Sequence, residues 1–397
     1  MIRVRNMEEK HSKIQSIMEY KDKLKMLRNQ RVLAAMIAVI LIFGTALGIS
    51  GYVRYRTYNS YETVRSALGE DTLSSDYVKL GENVLRYGIN GARLTDKNGN
   101  ELWNTAYAME NPTAQVTLDT AAVYEQNGTS LRTFNADGQQ GEITTPYPIR
   151  KAKATGQGVA AAILEDGENT WIKYYNTDGS EIASFRTRID SPGYPMDLCL
   201  SPDGMTLAVT YTYMENGQMC SQVAFYNFGS AGKQKKDHLV QAFSYSGLMI
   251  PQIEYVDDDL CVAFTEKGFL TFQGSASPVE TGKVEEEQEI LSVSLSSAGV
   301  AMVVRSQNEE NLYTLKMYTL SGSLRMQEEF SFAYEHLSME ENQILLWNRS
   351  EFLVCSFDGV AKFRGKPEEG EIRKIIGLGK QQYLGVLDQG LIYMKLK

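Results

Sequence analysis

Three series of turn-forming triplets recur along this chain in a fixed phase, and few folds can accommodate them. One series reads NGN at Asn98, ADG at Ala136, TDG at Thr177, FGS at Phe228, QGS at Gln273, LSG at Leu320 and FDG at Phe357. A second precedes it, with QNG at Gln126, EDG at Glu165, ENG at Glu215, EKG at Glu266, QNE at Gln307, NRS at Asn348 and DQG at Asp388. A third lies further upstream: LDT at Leu118, GQG at Gly156, PDG at Pro202, DDD at Asp257, SAG at Ser297, EEN at Glu340 and GLG at Gly377. Within each series the step is 37 to 55 residues, and each period holds four strand-length apolar or aromatic runs. N-G and D-G pairs suit two-residue hairpins, which need positive φ. Four antiparallel strands per period of 40 to 50 residues predict the blades of an all-β propeller over residues 76–397.

Counting backward, Gly81, Asn90 and Asn98 supply one more turn triplet, so eight blades are expected. The last unit ends within its third strand, Leu391 to Met394. Its missing edge is expected from the segment near Tyr77 to Leu80, and seven blades would result if that segment belongs to the last blade.

Ahead of the repeats, Val32 to Val53 holds 22 residues without a charge. As a helix at about 1.5 Å per residue it would span roughly 33 Å, enough for a bilayer core of about 30 Å. The reading is a single transmembrane helix acting as a signal anchor; cleavage near Ala46-Leu47-Gly48 is the rival. Residues 1–31 carry nine Lys or Arg against four Asp or Glu, a net of +5; with the chain at −9, the remainder stands at −14. Basic flanks stay in the cytoplasm while a long following domain translocates. The expectation is a basic, helical, cytoplasmic leader and an extracytoplasmic propeller on a bacterial cell membrane. Tyr55, Tyr58, Tyr61, Val64 and Leu68 fall at helical spacing up to Gly69, which predicts a helical stalk over 54–75. Gly44 and Gly48 form a small-xxx-small pair through which two copies could associate.

Two stretches resemble known propeller repeats. ARLTDKNGNELW, Ala92 to Trp103, resembles the repeat of quinoprotein-type propellers, and LSPDGMTLAVTY, Leu200 to Tyr211, is similar to the SPDG hairpin of bacterial translocation-protein and WD40-like propellers. The layout as a whole resembles an uncharacterised bacterial family of single-pass membrane proteins with an outward-facing propeller, which implies fold and topology but no activity. Quinoprotein dehydrogenases hold their cofactor with vicinal cysteines, absent here, so no cofactor carries over.

No catalytic, cofactor or metal residues emerge from the sequence. Its three histidines, His11, His238 and His336, show no ligand spacing. Asp257-Asp258-Asp259 lacks the alternating ligands of a calcium loop and reads as a hairpin turn. Glu285, Glu286, Glu287 and Glu289 read as an exposed acidic turn. Cys199, Cys220, Cys261 and Cys355 read as buried thiols, a Cys199–Cys220 bridge being the alternative. A remainder at −14 would be repelled by phosphate backbones, which disfavours nucleic acid as a partner. The leading expectation is a membrane-anchored, non-enzymatic scaffold for an envelope protein or polymer. A transmembrane ligand sensor signalling through the leader, and a hydrolase or lyase with an axial site, are the alternatives.

Overall fold

The computed structural model describes residues 20, 21, 26, 36–52 and 54–397, except 168, 189–191, 309, 341 and 380. The chain forms two units, Met1–Thr57 and Tyr58–Lys397. In the first, residues 36–52 are helical and uncharged, and nothing lies within 4 Å of a Cβ built at Gly44 or Gly48. Among the described residues no helix is long and apolar enough to cross a membrane. The expected span begins at Val32, outside them, as does most of the 1–31 leader.

The second unit is eight four-stranded antiparallel sheets, each a blade whose strands a to d run outward from a common axis. Blades 1 to 7 occupy residues 75–106, 112–144, 149–187, 194–246, 252–285, 290–330 and 336–365. Blade 8 takes three strands from 372–396 and its outermost from Tyr61–Leu68. Every triplet of the three series falls at a hairpin turn, some overlapping a strand end: the third series joins strands a and b, the second b and c, the first c and d. The a–b and c–d turns therefore share one face of the ring, and the b–c turns the other.

The sequence dictates this arrangement through burial. A blade is covered on both faces, so its second strand reads as a continuous apolar run instead of alternating: AAAIL at 160–164 and VAMVV at 300–304 are buried throughout. Each blade interface holds its own apolar cluster. The fourth strands are the most exposed of each blade and form the rim. All eight carry a bulge opposite strand c, at Leu102, Gln140, Ile182, Val240, Thr281, Arg325, Lys362 and Val64. Bulges twist an exposed edge away from flat pairing with another chain.

Two expectations about the start of this unit are corrected. Tyr61–Leu68 is a strand, not part of a helical stalk, and it pairs from Tyr61↔Leu396 to Leu68↔Gly390. It closes the last blade in place of Tyr77 to Leu80, which lies in the innermost strand of blade 1. The helical spacing misled because an outermost strand leaves both faces largely exposed, so no period-two pattern marks it. What decides the strand is an open edge more than 300 residues away in sequence.

Local motifs follow the same logic. In the SPDG turn, Gly204 takes φ 71° while Asp203 Oδ1 accepts from Met205 N (2.8 Å) and Ser201 Oγ (2.6 Å). Trp103 stacks on Phe134 of blade 2 and donates Nε1–H to Ala136 O (3.1 Å), locking blade 1 to its neighbour's turn.

Candidate functional site

The inner strands of blades 2 to 6 enclose a cavity of about 170 Å³ beside the axis, opening on the face of the a–b turns. Its walls include Val116, Lys153, Cys199, Glu254, Tyr255 and Ser296, with Leu118 at the rim.

Lys153 is only 5% exposed although it sits on an innermost strand. From blade 3 it reaches over blade 4, donating to Ile253 O of blade 5 (3.1 Å) and lying 3.9 Å from Asp197 Oδ2. Asp197, in strand a of blade 4, is buried and fully engaged. It accepts from Ile253 N (2.9 Å), Leu198 N (2.8 Å) and Lys151 Nζ (2.8 Å). Burial disfavours the Lys153 ammonium, but the carboxylates of Asp197 and Glu254 outweigh it and hold its pKa above the usual lysine range. The amine stays protonated at neutral pH and offers a fixed positive charge, not a nucleophile or base.

Two further groups at the cavity are buried. Among the described residues the Tyr255 hydroxyl has no hydrogen-bond partner, and burial raises its pKa well above that of free tyrosine. Cys199 Sγ lies 3.9 Å from Cys261 Sγ, and burial together with Cys199 pushes the Cys261 thiol up. All four cysteines are free and buried, as expected, and Cys220 contacts Ser246 Oγ (3.7 Å), not Cys199.

Across the ring a second lysine makes a similar reach. Lys79 of blade 1 passes over blade 8 to Glu340 of blade 7 (2.7 Å), whose other oxygen accepts from Gly377 N of blade 8 (3.4 Å). The two lysines tie alternate inner strands together on opposite sides of the axis. Sequence reasoning missed both, since an alternating IRKAKA or SDYVKL gives no sign that the polar positions face a closed ring.

The other residues weighed for chemistry fall elsewhere. His238 packs at a tilt against Phe228 and His336 stacks on Trp347; His11 lies outside the described residues. Asp257 accepts from the N–H groups of Asp259 and Leu260 (2.8 Å each), the hairpin turn that spacing predicts. Glu286 corrects the expected exposed turn: its side chain is 4% exposed and pairs with Lys316 Nζ (2.6 Å) and the Tyr318 hydroxyl. Among the described residues no group of three or more His, Cys, Asp or Glu is placed to hold a metal.

A long hairpin stands on the opposite face. Strands b and c of blade 4, Thr206–Glu215 and Gln218–Asn227, are ten residues each, longer than the b and c strands of every other blade. Their paired tip residues Met214 and Met219 are 62% and 41% exposed.

No curated protein matches the chain in sequence. Solved propellers do match in fold. BamB from Moraxella catarrhalis superposes with a TM-score of 0.50 at 10% identity, covering 85% of this chain and 100% of that one. Sqt1 from Chaetomium thermophilum gives 0.53 at 12% identity, with 85% and 100% covered. A eukaryotic initiation factor gives 0.50 at 11%, with 86% and 90% covered. Identities this low speak for the shared fold alone. A family profile, by contrast, matches residues 54–396, from before the closing strand to the penultimate residue, and the chain belongs to that family of unknown function, DUF5711.

Proposed function

We propose that the protein is a membrane-tethered, extracytoplasmic scaffold that binds a protein of the cell envelope through the b–c face of its propeller. The observation that carries this reading is the blade 4 hairpin. Flexible, polarizable methionines adapt to partner surfaces, and the hairpin holds two of them in water on a rigid two-stranded support. The uncharged run Val32 to Val53, helical over 36–52, supplies the tether, and the basic leader keeps the amino terminus in the cytoplasm. Tethering confines the search for a partner to two dimensions, so a modest contact area suffices for useful occupancy.

A photo-crosslinking residue at position 214 in the full chain tests the reading in cells. Discrete adducts from position 214, absent with the crosslinker at Asp137 on the opposite face and lost in a Met219→Glu background, are the expected result. Adducts equal from both positions would overturn it, as would adducts only with cytoplasmic proteins.

A further inference from the structure

The seam where the ring closes, between blade 8 and blade 1, differs from the other interfaces. Its apolar cluster, with Tyr77, Val84, Leu384 and Tyr393 among its members, borders a group of charged side chains. On blade 1, Tyr77, Arg86, Arg93 and Asn104 stand side by side across all four strands. Glu70, in the connector after the closing strand, ion-pairs with Arg86 Nη1 (3.0 Å) and with Arg93 Nη2. Arg86 is otherwise committed, donating Nε–H to Ser75 Oγ and Nη2–H to Asp71 O (3.0 Å each).

Two buried donors in this seam remain open. Among the described residues Arg93 Nε has no hydrogen-bond partner, nor has the hydroxyl of Tyr77, which is 2% exposed. The Tyr77 hydroxyl feels the charges of Arg86, Glu70 and Arg93, and burial raises its pKa to about 12. Both residues wall a cavity of about 80 Å³ that is also lined by Arg65, Glu70 and Glu101. Arg65 comes from the closing strand and donates Nη1–H to Asn98 O (2.6 Å). Three guanidinium groups against two carboxylates leave the lining net positive. Arg86 and Arg93 are also shared with an adjoining cleft of about 310 Å³ walled by Asp71, Ser74, Asn90 and Asn104.

We propose that this seam binds a small oxyanion, a phosphate group. An oxyanion accepts from Arg93 Nε–H and from Tyr77 O–H at once, as charge-assisted hydrogen bonds to guanidinium require. The cavity admits the anion, and the polar cleft beyond it admits a hydroxylated substituent. Because Arg65 and Glu70 belong to the closing segment and Arg93 to blade 1, a bound anion also links the two sides of the closure and stabilises the ring. The site lies apart from the blade 4 hairpin, so its failure would leave the scaffold reading untouched.

Calorimetric titration of the full chain in detergent micelles with inorganic phosphate, and separately with glycerol 1-phosphate, tests the proposal against chloride at equal ionic strength. Saturable one-to-one binding of either phosphate is expected, with a rise in the unfolding midpoint. Tighter binding of the monoester would assign the outer cleft to the same ligand, and equal binding would assign a free anion. Tyr77→Phe removes only an unpartnered hydroxyl; it is expected to weaken binding about fivefold without lowering the unfolding midpoint. Arg93→Gln is expected to abolish binding. No saturable phosphate binding up to about 10 mM would overturn the proposal and leave the cavity to water. So would affinity that both variants leave unchanged.

Discussion

At the scale of single residues, the axis of the propeller is governed by two lysines that look like surface residues in sequence. Asp197 answers two lysines and two backbone N–H groups, whereas Lys153 has Asp197 as its near carboxylate. Removing one partner of a buried pair leaves an uncompensated charge, but a pair with spare partners tolerates the loss. Asp197→Asn is therefore expected to destabilise by about 3 kcal/mol, and Lys153→Met, similar in length and apolar, by about 1 kcal/mol or less. Urea unfolding of the two variants checks the asymmetry; equal losses would mean that Lys151 does not compensate Asp197. Neither lysine was legible beforehand, because KAKA fits an outward-facing strand as well as an inward-facing one. The hairpin turns were legible to the residue, since Asn, Asp and Gly at those positions serve the local backbone whatever surrounds them.

At the scale of elements, the closing strand is the least legible and the most consequential. It pairs with the last strand, and Tyr61 packs edge-on against Phe363 of blade 7 (6.2 Å). Gly390, opposite Leu68, has φ 140°, and a Cβ there would stand 2.4 Å from Ala67 O. Gly390→Ala is expected to destabilise the protein by about 2–4 kcal/mol through strain and displacement of the closing strand. Amide exchange is expected to quicken first over 61–68, and uniform quickening throughout the ring would refute that local origin. The closing strand carries its bulge at Val64 although no c–d hairpin leads into it. The bulge thus belongs to the exposed edge, not to the turn. The blade 4 hairpin shows the converse case. Its length is plain from TLAVTYTYMENGQMCSQVAFYN, but only the ring places its tip on the b–c face.

At the scale of the whole molecule, burial of tyrosines between blades makes stability depend on pH in one direction. Burial raises Tyr77 and Tyr124 to about 12, and raises Tyr211 and Tyr255 as well. The folded state then holds phenolic protons that the unfolded chain releases near pH 10, so this contribution is complete below about pH 10 and is lost as pH rises. Lys153, also raised, acts with the same sign. The unfolding midpoint is expected to stay level from pH 7 to 9 and to fall above about pH 10; a level midpoint through pH 11 would mean that the tyrosines ionise in the folded ring. By itself the sequence determined the all-β class of the repeats, the four-strand period and the place of the hairpin turns within the blades. Those rest on local backbone preference and on runs long enough to be buried on both faces. Tertiary structure alone decided which segment closes the ring, that Lys79 and Lys153 face inward, and that Arg65 of the closing strand comes to line one cavity with Arg86 and Arg93 of blade 1. Each of these depends on strands far apart in sequence coming to lie side by side, a constraint that no stretch of chain carries within itself.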